Sequence, residues 1–182
     1  MNNEKTRESA VRISLIDVMY GVTLAYGFTF IDKAVDYSDY FRFFFAYMVF
    51  IVDWIYVHRL YWGWEYSNKF LLLDIGVLFT ISRLLFTSTA KTPQYFLWLS
   101  VLFGFYIAWD IVSKYDKQNS QYDWYYSIAG DITASVLFAV LWLLSFKGML
   151  IATDLFAIAG PMIIYTCVVL SWFKKVSRKK KC

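Results

Sequence analysis

Three observations predict an all-α, polytopic integral membrane protein of six transmembrane helices with both termini cytoplasmic. The 182 residues are 59% hydrophobic and 22% aromatic but only 18% charged, whereas soluble domains run near half apolar and a quarter charged. The charges crowd into short breaks between six apolar runs of about 20 residues, the length that crosses a bilayer as a helix. Lysine and arginine near the span ends divide thirteen to four in favour of the side that carries both termini, and cytoplasmic loops hold that excess. The spans use most of the chain and leave no separate aqueous domain, so residues 1–182 read as a single transmembrane domain ending in a polybasic tail at 173–182.

The first span is expected at 12–31. It ends at Asp32-Lys33, and it carries Asp17 and no small-residue cleavage site, which argues against a cleavable signal peptide. The second, 41–60, follows Asp36 and Asp39 and closes on His58-Arg59; the third, 69–88, begins after Glu65 and Asn68. Lys91-Thr92-Pro93 precedes the fourth, 94–113, and the polar run from Lys114 to Asp123 precedes the fifth, 124–145. Lys147-Gly148 opens the sixth, 149–172. Each run is about twice as long as a barrel strand needs and lacks sustained alternation, so helices are favoured. Tyr61-Trp62-Gly63-Trp64, Tyr122 to Tyr126 and Trp172 stand where interfacial aromatic belts form.

The tail has six basic residues between Lys174 and Lys181. Two readings apply to it: a stop-transfer flank, which is the simpler, and a contact with anionic lipid. Nucleic-acid binding is not predicted, because the net charge of +4 is concentrated in the tail and leaves no folded basic face. Two cysteines, Cys167 and Cys182, and the single histidine predict neither a disulfide framework nor a metal site, and no cofactor is implied. An enzyme is not expected. There is no glycine-rich phosphate loop, no Ser/His/Asp set and no facing pair of metal ligands.

Ionisable residues inside spans cost about 2.5–3.5 kcal/mol each on insertion scales, so each requires a partner or water. Asp17, Asp53, Asp74, Arg83, Asp110, Asp131 and Asp154 all fall within or at the ends of spans. Asp110 and Lys114, four apart, predict a local ion pair. Asp74 and Arg83, nine apart, predict partners on other helices. In the first span, positions 16, 20, 23 and 27 share one face, which is expected to meet protein.

The order of polar residues in the first half resembles the six-span potassium-channel family of prokaryotes and lysosomes. That family's first helix opens with R-x-x-x-F-S-D. Here the region runs from Arg12 through Leu15-Ile16 to Asp17, with the arginine one residue closer and Leu15-Ile16 in place of the F-S pair. The family's Trp and His on the second helix are matched by Trp54 and His58, and its polar residue on the third by Asp74. The likeness covers about residues 12–86. It implies a homotetramer whose first helices surround a pore gated by apolar side chains. Arg12, Asp17, Trp54, His58 and Asp74 would form a polar cluster holding helices together, and Tyr20, Val22, Thr23 and Tyr26 would supply the pore wall.

Three functions are therefore expected in order. The first is an oligomeric, potassium-like cation channel or leak pore. The second is a non-transporting accessory or sensor subunit acting through partner contacts. The third is a proton-coupled carrier using Asp17, Asp53 or Asp131.

Overall fold

The computed structural model describes residues 2–61, 66–89, 93–115, 124–149 and 159–170. Among these, every regular element is helical: α1 (Asn2–Phe28), a 3-10 turn (Ile31–Lys33), α2 (Tyr37–Tyr61), α3 (Asn68–Ser88), α4 (Gln94–Tyr115) and α5 (Trp124–Phe146). A shorter apolar helix, α6, covers Ala159–Leu170. Among the described residues, five stretches are long and apolar enough to cross a membrane: Glu8–Lys33, Tyr37–His58, Asn68–Ser88, Gln94–Tyr115 and Ile128–Phe146. The sixth expected span, 149–172, is represented by the twelve residues of α6, about 18 Å of helix. Asp154, Trp172 and the basic tail lie outside the described residues.

The helix ends follow from local chemistry. α1 begins ten residues before the expected first span, because a helix continues into water where its sequence permits; Glu8 and Arg12 pair at 2.9 Å across one turn. α2 starts at Tyr37, four residues early. Asp36 caps it by accepting the Asp39 amide at 2.9 Å, while Asp39 reaches back to accept the Val35 amide at 3.0 Å. α5 stops where Gly148 adopts a positive φ of 70°. The Gly148 amide donates to Ser145 at 3.1 Å and the Met149 amide to Leu144 at 2.9 Å, the pattern that closes a helix through a left-handed glycine.

The chain divides into two compact units, Met1–Ala90 and Lys91–Cys182. In the first, α3 packs against both α1 and α2. α1 and α2 also meet through long side chains, as where the Tyr47 hydroxyl donates to the Leu24 carbonyl at 2.8 Å. The core includes Phe43, Phe50, Leu78, Ile81 and Leu84, all buried. At the far end from the chain start, Arg42 pairs with Asp39 at 2.5 Å, both nearly inaccessible, and its Nε donates to the Ser88 carbonyl at 2.9 Å. The charges read from sequence as a span-breaking stretch thus include a buried clamp from α2 to the end of α3.

In the second unit, α4 and α5 pack closely. Ser100 Oγ donates to the Ser135 carbonyl at 2.9 Å, and Ser135 Oγ returns the bond to the Ser100 carbonyl at 3.0 Å. Small hydroxyl residues permit this close backbone approach. Phe103 contacts the rings of Phe138 and Tyr165, carrying the core from α4 through α5 to α6. Asp110 and Asp131 are both buried, and Lys114 is exposed with its ammonium 5.3 Å from the Tyr115 ring centroid.

Candidate functional site

Ile16, Tyr20, Thr23 and Gly27, spaced by four, three and four residues, make up the buried face of α1. Val11, Leu15, Val18 and Val22 share the opposite face and are exposed. Asp17 follows Ile16 and therefore sits at the margin between the two faces, with 43% of its side chain accessible.

Two residues one turn apart on α2 converge on Asp17. Trp54 Nε1 donates to Asp17 Oδ1 at 3.2 Å, and His58 Nε2 lies 2.8 Å from the same oxygen. His58 Nδ1 lies 2.9 Å from the Trp54 carbonyl oxygen, and the two rings are 4.8 Å apart at centroid. The trio is thus held from both helices and is partly open to its surroundings.

Deeper in the same unit, two carboxylates are almost fully enclosed. Asp53, at 3% exposure, accepts the hydroxyl of Tyr20; Asp74, at 2%, accepts that of Tyr66. Buried carboxylates require such donors, since an acceptor stripped of water and left unfilled is costly. Tyr66 is itself fixed on every polar group. Its amide donates to Ser9 Oγ at 2.9 Å, and its carbonyl accepts from Arg12 at 2.9 Å. It stands in the connection ahead of α3, where burial first and the Asp74 carboxylate second push its phenol well above the usual range, so it remains a donor.

The structure thus joins Asp17, Trp54 and His58 directly, and joins Arg12 to Asp74 through Tyr66. Asp74 draws this partner from just before its own helix, and Arg83 places its guanidinium carbon 5.1 Å from the ring centroid of Phe86, also on α3. The four pore-wall candidates divide: Tyr20 and Thr23 point into their own unit, whereas Val22 and Tyr26 are exposed.

Sequence reading passed over Tyr66 and Ser9. The available signal was the buried acid: Asp74 requires a donor that a span tolerates, and a tyrosine lies two turns upstream. Among the described residues, no group of three His, Cys, Asp or Glu side chains is placed to hold a metal ion. Comparison with protein-family models, curated proteins and solved structures gives no match.

Proposed function

We propose that the chain is the six-span protomer of an oligomeric cation channel or leak pore, with both termini cytoplasmic and α1 lining the pore. One observation carries the reading. α1 buries about half as large a share of its apolar stretch as α2 or α3, yet it bears Asp17, half exposed within that stretch. A lipid-facing acid at such a position is unfavourable, whereas neighbouring protein or a water-filled path relieves it. Second copies of the chain meeting along α1 supply both.

Val22 and Tyr26 then belong to the pore side, and the apolar face of Val11, Leu15, Val18 and Val22 provides a constriction that gates by dewetting. Tyr20 and Thr23 support that wall from behind. The resemblance of residues 12–86 to the six-span potassium-channel family points the same way and makes a tetramer the expected assembly.

A second reading, an accessory subunit, draws on α2. Tyr37, Tyr40, Phe41 and Phe44 lie exposed along one side of its first two turns, an aromatic surface of the kind that partner proteins cover. A proton-coupled carrier remains the third reading and is separated from the others by dependence of flux on a pH gradient.

The test is ion flux from purified protein in liposomes under separate potassium, sodium and proton gradients, with oligomer mass determined alongside. Val22→Ser and Val22→Phe are expected to raise and lower cation flux respectively, by several-fold. Silent liposomes containing folded protein would transfer the reading to the accessory role.

A further inference from the structure

The exposed apolar positions of α3 repeat at helical spacing. Leu72, Ile75, Phe79 and Phe86 are exposed and form one stripe along the helix. Arg83 falls in that register, between Phe79 and Phe86. A permanent cation thus interrupts an apolar stripe about 7.5 Å inside the helix end at Ser88.

The turn after α1 brings a second cation to the same place. Lys33 Nζ lies 5.9 Å from the ring centroid of Phe86, and the Arg83 guanidinium carbon lies 5.1 Å from it. Phe30 packs edge to face on Phe86 with centroids 5.4 Å apart, and its own centroid is 4.9 Å from Lys33 Nζ. Phe30 is buried and Phe86 is exposed, so the aromatic pair fixes both cations at a surface. A ring orients a cation without neutralising it, and two like charges gathered at the edge of a low-dielectric region repel. The acids on the neighbouring turn are largely committed elsewhere. Asp39 pairs with Arg42 and accepts the Val35 amide, and Asp36 accepts the Asp39 amide. Asp32 is exposed, and among the described residues no carboxylate lies within ion-pair distance of Lys33.

We propose that Lys33 and Arg83 form the headgroup site of an anionic phospholipid, sharing its phosphate while an acyl chain lies along Phe79, Ile75 and Leu72. Both side chains are long, and small rotations beside the Phe86 ring bring ammonium and guanidinium to one phosphate through charge-assisted hydrogen bonds. A soluble anion would satisfy the charges and leave the stripe unused, whereas a lipid matches both. Two positive charges favour a headgroup with no cation of its own, so phosphatidylglycerol fits better than phosphatidylcholine. The site depends on α1 and α3 spanning the membrane and is independent of whether ions pass along α1.

Photocrosslinking reads the stripe directly. Full-length protein carrying p-benzoylphenylalanine in place of Phe79, which keeps an aromatic ring there, is placed in vesicles of equal parts dioleoylphosphatidylglycerol and dioleoylphosphatidylcholine. Lipid adducts at position 79 are then identified by mass spectrometry. With Lys33 and Arg83 in place, adducts should favour phosphatidylglycerol by at least about fivefold, the factor that one basic residue at a membrane surface contributes. Lys33→Gln and Arg83→Gln should each bring the ratio to within about twofold of equality, and Lys33→Gln, at an exposed position, suffices if Arg83→Gln does not insert. Lys147→Gln removes a basic residue of the second unit and should leave the preference intact. Equal adducts with both cations present, a preference retained in Lys33→Gln, or the same loss in Lys147→Gln would overturn the site. So would loss of the preference when inorganic phosphate replaces chloride at constant ionic strength, since a soluble anion would then be the occupant.

Discussion

Tyr66 shows how one side chain can secure a helix entry, since its amide, carbonyl and hydroxyl are all engaged by α1 or α3. Tyr66→Phe removes only the hydroxyl and leaves the enclosed Asp74 carboxylate one donor short. The expected cost is about 1–3 kcal/mol, read as a drop of several degrees in the unfolding midpoint in detergent. Tyr26→Phe is the control. Its ring is half exposed, and its loss of a hydroxyl should change stability by no more than about 0.5 kcal/mol. The pH dependence of the Tyr66 contribution has a definite sign. Its phenol is raised in the folded state, so the bond contributes fully below the ordinary tyrosine value of about 10 and fades only at more alkaline pH. A Tyr66→Phe penalty that declined between pH 6 and pH 9 would contradict this account.

At the scale of helices, side chains of α2 and α3 crowd α1 at Gly27. A Cβ there would lie 2.5 Å from the Tyr47 hydroxyl and 2.9 Å from Leu85 Cδ1. The Tyr47 hydroxyl cannot withdraw freely, because it donates to the Leu24 carbonyl at 2.8 Å and its ring rests 4.8 Å from that of Phe43. Gly27→Ala is therefore expected to destabilise by about 1–3 kcal/mol through overpacking, although alanine is the better helix former by about 1 kcal/mol. Adding Tyr47→Phe should recover part of the loss, and strictly additive unfolding midpoints would show that the two residues do not collide. This crowding also marks how far sequence reasoning reaches. Apolar run length and the positions of Lys147-Gly148 or Asp32-Lys33 suffice to locate helices, and the spacing of positions 16, 20, 23 and 27 suffices to assign a buried face, because both depend on local chemistry. The Arg42–Ser88 clamp and the bonds from Ser9 and Arg12 to Tyr66 were not readable, because each depends on which chain segment the packed helices bring alongside. Asp17, Trp54 and His58 lay between these cases. A family resemblance grouped them, but only the packed helices show that one carboxylate oxygen receives both partners.

At the scale of the whole molecule, orientation and function are linked through Asp17. The unequal distribution of lysine and arginine predicts that both termini are cytoplasmic, and that orientation would put Asp17, Trp54 and His58 in the cytoplasmic part of their spans. Chain counting makes this a parity argument. Among the described residues five stretches qualify as spans by length and apolarity, and the shorter α6 falls within the expected sixth; six crossings would return the carboxyl end to the side of the amino end, whereas five would leave it opposite. Cys182 decides between them. Cys167 lies exposed on α6, so Cys167→Ser provides a background in which a thiol reagent reads the terminal residue alone. In intact cells, a membrane-impermeant maleimide should leave Cys182 unlabelled and label it fully after the membrane is opened. Labelling before opening would place the carboxyl end outside, reduce the crossings to an odd number or invert the chain. A second impermeant label at an introduced Asn2→Cys separates those outcomes: accessibility of both ends means inversion, and accessibility of Cys182 alone means an odd number of crossings. Inversion would place the end of α1 and α2 that carries Asp17, Trp54 and His58 on the external side, so the labelling pattern also determines which side that cluster faces.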